Sequence, residues 1–242
     1  MSQQANGDRS GGGTKKGAGG RRDALIDEHL GRLPEGALVL NVGCGVVRRF
    51  EAACSCRYVA TDLRPLPNVD FASDAANLPI PDHSVDAALA IELLEHVPRP
   101  WAVVEELARV LKPGGMVMIS VPSAVPRHDE HDYWRYTAEG LRQLCAPAFA
   151  NGEVEVFGGT FEALGYLAEY YFSLARHGLK LRSRRFPGTG RSTSLGFWLD
   201  RHTSWSSSGT AVHTLAFDLL FVATAGDMAI PSADLSPRTT AT

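Results

Sequence analysis

Ala37-Leu38-Val39-Leu40-Asn41-Val42-Gly43-Cys44-Gly45, answered by Asp62 at the end of the next apolar run, is the stretch that decides the fold. Residues 37–42 form a short, nearly continuous apolar run, the pattern of a strand buried on both faces. A glycine turn follows at once, and glycine lets a backbone approach a ligand closely. Arg57-Tyr58-Val59-Ala60-Thr61 reads as the next strand, and Asp62 closes it. An acidic side chain there can accept hydrogen bonds from both hydroxyls of a ribose. A dinucleotide fingerprint would want a third glycine at position 48; the residue is Arg48, and that reading drops.

Outward from this core, strands and helices alternate. A helix is predicted over Arg22–Leu33 from the spacing of Leu25, Ile26, Leu30 and Leu33, and a short one from Val46. Further strands are predicted around Val69–Phe71 and over Val85–Ile91. A helix starts at Pro100 with Trp101, Val104, Ala108 and Leu111 on one stripe, and Pro113-Gly114-Gly115 ends it. Met116–Val121 is a strand, His128–Tyr136 a polar and aromatic loop, and Thr137–Cys145 a short helix. A strand around Val154 and Val156, a helix carrying Phe161, Leu164, Ala168, Tyr171 and Leu174, and a last strand over Leu215–Ala223 complete the pattern. The rhythm implies an α/β fold, a doubly wound and mostly parallel sheet. Ligands in such sheets sit beyond the carboxyl ends of the strands, where the Gly43–Gly45 turn, Asp62 and Glu92 fall.

Composition narrows the class. The chain has 242 residues, 44% of them apolar, with net charge -3, so no global basic field argues for nucleic acid. No apolar run approaches the ~18–20 residues of a membrane span. Residues 1–20 are polar and Gly-rich without the apolar core of a secretory signal and read as a disordered tail, as does 227–242. Residues 21–226 form the one domain. Cys44, Cys54, Cys56 and Cys145 are too few for a disulfide framework and lack CxxC spacing, so cytoplasmic residence is the default expectation.

Five segments in order resemble the class I S-adenosylmethionine-dependent methyltransferases, in particular their small-molecule, methyltransferase type 11-like branch. They are Val39–Gly45, Ala60-Thr61-Asp62-Leu63, Ser73–Pro79, Glu92-Leu93-Leu94-Glu95-His96-Val97 and Leu107–Gly115. The resemblance implies a Rossmann-like sheet of seven strands, the last antiparallel, and S-adenosyl-L-methionine as cofactor. It implies that Asn41, Gly43, Cys44 and Gly45 pass by the methionine part. Asp62 and Leu63 meet the ribose side, Asp74 accepts from the adenine amino group, and the Ala75 amide meets a ring nitrogen. Ile91 and Glu92 flank the methionine end. Two positions depart from the family: Asn41 stands where an acidic residue is usual, and Val47 where glycine is usual. The first loses charge attraction to the cofactor ammonium, so Asn41→Asp is expected to tighten binding; the second asks for a different loop path.

The expected acceptor is a small molecule methylated on oxygen, as in specialised metabolism, with neither nucleic acid nor membrane as partner; a homodimer fits the same reading. Transfer to carbon or nitrogen, or a degenerate cofactor-binding accessory protein, are the alternatives. A hydroxyl acceptor needs a base, and His96 and His131 are the candidates, with His128 better read as ordering its loop. Glu92-x-x-Glu95-His96 would also suit a divalent ion, but many relatives carry these letters without one, and no metal is assigned. A helical lid insertion, about 161–209, is expected to roof the acceptor pocket before the last strand.

Overall fold

The computed structural model describes residues 18–178 and 218–226. Seven strands form one sheet in the order β3-β2-β1-β4-β5-β7-β6. They are β1 (Leu38–Val42), β2 (Arg57–Asp62), β3 (Phe71–Ala72), β4 (Val85–Ile91), β5 (Leu111–Pro122), β6 (Glu153–Phe157) and β7 (Asp218–Thr224). Strands β1 to β5 pair in parallel, while β7 runs antiparallel to both β5 and β6. The order reverses between β1 and β4, which is where an open α/β sheet opens a crevice at its carboxyl edge.

Alternation along the strands splits the core into two layers. Leu40, Val42, Ala88, Ala90, Ile119 and Phe221 point to one face, toward α2 (Pro100–Val110) and α3 (Ala138–Cys145). Val39, Ala60, Leu89, Met118 and Leu220 point to the other, toward Ile26 and Leu30 of α1 (Ala18–Gly31). Side chains alternate in a strand with period two, so continuous apolar runs such as β1 need cover on both sides. Thr137 caps α3, its hydroxyl accepting from the Gly140 amide at 3.0 Å.

Several expectations shift. Helix α1 begins at Ala18, inside the stretch assigned to the polar tail, and Arg22 is one of its buried residues. No helix follows the glycine turn near Val46; turns and one 3₁₀ turn (Glu51–Ala53) carry the chain to β2. In the loop before β2, Cys54 and Cys56 are joined by a disulfide. The buried stripe of α2 is Val103, Val104, Leu107 and Val110, rotated from the one predicted, and Trp101 lies outside against Trp134. Strand β5 starts at Leu111, running through the Pro113-Gly114-Gly115 stop. The first part of the expected lid is helix α4 (Thr160–Gly178); the remainder, from 179 to 209, lies outside the described residues.

Candidate active site

The glycine turn is built by backbone conformation. Gly43 and Gly45 have φ of +70° and +62°, the left-handed region that favours glycine. A Cβ on Gly43 would lie 2.6 Å from the Leu93 side chain, whereas the space over Gly45 is open. The Thr61 carbonyl accepts from the amides of Gly43 and Cys44 at 2.8 and 3.0 Å. Asp62 Oδ2 accepts from the Gly45 amide at 3.0 Å, and Oδ1 accepts from the Arg64 amide and side chain. The carboxylate predicted to meet a ribose thus also clamps the turn. Burial, with Asp62 second, pushes the Cys44 thiol up.

Around this turn the rim is apolar and unburied: Val46, Val47 and Leu63 are 63%, 60% and 74% exposed. Val47 keeps φ negative, so the loop accommodates it by its path. Ala75 is buried, and exposed Asp74 accepts from the Ala76 amide at 2.9 Å, capping its own turn. Asn41 is buried in β1 and donates from Nδ2 to the Tyr58 hydroxyl at 2.8 Å. Burial raises the Tyr58 phenol to about 12.

Past β4, half-buried Ile91 leads into Glu92, whose φ is +53°. Such a conformation costs a non-glycine residue of order 1–3 kcal/mol and persists only where surroundings fix it. Here the Ser120 carbonyl accepts the Glu92 amide, while Ser120 Oγ and Arg22 Nη1 both donate to its Oε1 at 2.9 Å. Arg22 Nη1 also donates to Asp218 Oδ2 at 2.6 Å. Burial works to lower the Arg22 pKa, and Asp218, Glu92 and Asp23 together outweigh it. Because β7 is reversed, its first residue lies at the edge where the parallel strands end, and Asp218 pairs with Pro122.

The next turn, the 3₁₀ turn Leu94–His96, is stitched to the loop after β5. Tyr136 Oη donates to the Leu94 carbonyl, the Tyr133 amide to that of Glu95, and Trp134 Nε1 to that of Val97. His96 Nδ1 lies 2.8 Å from the His131 carbonyl, which can only accept, so this nitrogen carries the proton. His96 Nε2 faces Glu95 Oε1 at 3.7 Å. Burial first, and Glu92 second, pushes the Glu95 carboxyl up to about 9. The His131 ring is exposed and stacks on Tyr133 instead of turning toward His96. His128 does meet His96, with ring centroids 5.2 Å apart.

The structure therefore gathers Asn41, Gly43, Cys44, Gly45, Asp62 and Leu63 around one turn, and Ile91, Glu92 and His96 along the neighbouring strand end. Arg22, Tyr58, Ser120 and Asp218 join them without having been singled out. An acidic residue opening the apolar run of β7 was the one hint available for Asp218.

A doubly wound sheet of this strand order, with a glycine turn and an acid on adjacent strands, defines a Rossmann-like methyltransferase fold. Residues 40–119 match the family model described as "Methyltransferase domain". Residues 40–119 therefore carry a methyltransferase domain. It is 36% identical over 106 residues to the tRNA (carboxymethyluridine(34)-5-O)-methyltransferase of Arabidopsis thaliana, a match covering 39% of this chain and 26% of that protein. It is 32% identical over 139 residues to the fatty-acid O-methyltransferase of Mycolicibacterium smegmatis, covering 50% of this chain and 49% of that protein. The chain thus spans between a quarter and a half of the length of these relatives. A similar solved structure is phosphoethanolamine N-methyltransferase 2 of Haemonchus contortus in complex with S-adenosyl-L-methionine. Its TM-score is 0.55 at 15% identity, covering 87% of this chain and 54% of that one. No helix among the described residues is long and apolar enough to cross a membrane.

Proposed function

We propose that this chain binds S-adenosyl-L-methionine at the carboxyl edge of β1, β2 and β4 and transfers its methyl group to an oxygen of a small-molecule acceptor in the cytoplasm. The observation that carries this is the Gly43–Gly45 turn clamped by Asp62 under an open, apolar rim. Exposed Val46, Val47 and Leu63 lose little by staying wet singly, but together they form a face suited to a ligand's flat apolar ring. The residues present fit the group. Gly45 leaves room for it, Asp62 offers a charged acceptor to its ribose hydroxyls, and the Ala75 amide and Asp74 flank the adenine position.

The cofactor supplies an activated methyl on a sulfonium, so the protein chiefly aligns the acceptor and excludes water. Proximity alone can contribute up to ~7–11 kcal/mol. Glu92, held in its left-handed conformation by Arg22 and Ser120, presents a fixed negative charge at the methionine end. The proton of a hydroxyl acceptor leaves on the His96 side of the rim: His96 Nδ1 is committed to the His131 carbonyl, and Nε2, beside Glu95, is the nitrogen left to take it. His131 acts there through its backbone and orients His96. Transfer to oxygen is favoured because both named relatives are oxygen methyltransferases. A small acceptor is favoured over RNA by the net charge of -3. Calorimetry with S-adenosyl-L-methionine and with its demethylated product, followed by labelled-methyl transfer in an extract, tests the reading; no saturable binding of either compound rejects it.

A further inference from the structure

Beside the cofactor crevice, the loop after β5 brings His128 over the Leu94–His96 turn. One ligand atom each from Glu95, His96 and His128 lie within 4.8 Å of one another. Glu95 is 0% exposed, and neither of its carboxylate oxygens has a hydrogen-bond partner. A buried carboxylate without donors is costly, and imidazole nitrogens of His96 and His128 lie within 4.8 Å of it. His96 Nε2 lies 3.7 Å from its Oε1.

Both imidazoles are already oriented. His96 gives its Nδ1 proton to the His131 carbonyl at 2.8 Å, which leaves the Nε2 lone pair directed toward Glu95. His128 Nδ1 accepts from Arg135 Nη2 at 3.5 Å and lies 3.3 Å from Asp132 Oδ2, so the ring is anchored through that nitrogen. Asp132 is itself fixed: Arg135 donates to both of its oxygens, and the His128 amide donates to Oδ2 at 3.0 Å. Histidines whose second nitrogen is tied to a carbonyl or a carboxylate are characteristic of metal ligands, because the outer bond fixes both tautomer and ring plane.

The geometry points to a binding site for a divalent transition-metal ion at Glu95, His96 and His128, with Zn²⁺ the best match. Two imidazoles and one carboxylate suit zinc and its neighbours, whereas Mg²⁺ prefers an all-oxygen shell. Three protein ligands leave a fourth coordination position for a water or another oxygen. The ligand set differs from the one the sequence spacing allows. Glu92 stands outside the cluster, its Oε1 held by Arg22 and Ser120, and His128 enters from a loop 32 residues beyond His96. Bonds of about 2.0–2.1 Å need the three atoms closer than they lie, so binding would draw the exposed loop that carries His128 toward Glu95. The site stands whether or not the chain transfers methyl groups.

Calorimetric titration of the full chain, freed of metal with chelator, with ZnCl₂ tests this. One ion per chain is expected, and Co²⁺ in its place should give the visible absorption of a nitrogen- and oxygen-ligated ion. His128→Ala and Glu95→Gln should each weaken Zn²⁺ at least tenfold, while His29→Ala on the opposite side of the sheet leaves it unchanged. His128 is exposed, so its variant decides the matter even if Glu95→Gln fails to fold. Absence of saturable Zn²⁺ binding, equal affinity in His128→Ala, or saturable binding of Mg²⁺ alone would overturn the assignment. Cofactor affinity measured in the same variants without metal is expected to be unchanged, which separates failure of this site from failure of the cofactor reading.

Discussion

Arg22 Nη1 donates to Asp218 Oδ2 at 2.6 Å, joining the first described helix to the first residue of the last strand across 196 positions. The same nitrogen reaches Glu92, so one guanidinium fixes the strand that closes the sheet and the residue that borders the crevice. Arg22 is 5% exposed and Asp218 is 3% exposed. Removing one partner of such a pair strands the other, at a cost of about 3–5 kcal/mol. Arg22→Ala should therefore lower stability in urea by that amount, and Arg22→Met with Asp218→Leu should recover much of it. A single variant within about 1 kcal/mol of the parent would mean the pair is dispensable.

Asp62 clamps Gly45, and in the proposed function it also offers the charged acceptor for a ribose. Asp62→Ala should weaken S-adenosyl-L-methionine at least tenfold in calorimetry with the fold retained, each charged hydrogen bond being worth about 1.5–3 kcal/mol. Arg64→Ala makes the complementary test. Arg64 Nε lies 3.1 Å from Asp62 Oδ1 but is well exposed, so its loss should leave affinity unchanged or slightly improved. Weakened binding in Arg64→Ala would show that the arginine, not the carboxylate alone, holds the ligand.

Asn41 invites Asn41→Asp as a route to tighter cofactor binding, but its side chain faces Tyr58. A carboxylate at this 4% exposed position must be desolvated, and the Tyr58 hydroxyl would have to turn to donate to it. The expected outcome is a loss of stability of about 1–3 kcal/mol, with no gain in affinity. Tyr58→Phe should cost a similar amount by leaving Asn41 Nδ2 unpaired. Thermal unfolding of both variants checks this, and a stable Asn41→Asp that binds cofactor more tightly would return Asn41 to the crevice.

His96→Ala separates two roles at one position. With His96 as base, turnover of labelled methyl should fall about 10²–10⁴-fold at unchanged cofactor affinity, and chelator should leave the parent active. With His96 as metal ligand, chelator should abolish the parent's activity and Zn²⁺ restore it. Full activity in His96→Ala with indifference to chelator rejects both.

The first two strands and the glycine turn were legible because their signals are local: β1 and the turn after it lie within nine consecutive residues, and Asp62 ends the next apolar run. The absent helix after Val46 was not, since two exposed valines can read as the start of an amphipathic segment when they belong to a rim. Trp101 misled the reading of α2 because its partner, Trp134, lies on a distant loop that no periodicity reports. Arg22 and Ser120 were invisible for the same reason, and Asp218 nearly so: their meaning lies in who meets whom across the sheet. His128 looked like a loop residue until the hydrogen bonds between residues 94–97 and 131–136 put it opposite His96.

The reversed position of β7 has a consequence for how the chain is made. β7 lies between β5 and β6, so both present bare edges to a newly emerging chain until Asp218–Thr224 has been synthesised. At about 5–20 residues per second, the stretch between β6 and β7 takes about 3–12 s to appear. Throughout that interval Arg22 has no Asp218 to pair with, and unpaired strand edges template aggregation. Nascent chains arrested before Asp218 should therefore depend on ribosome-associated chaperones, and a short extension through Thr224 should relieve that dependence.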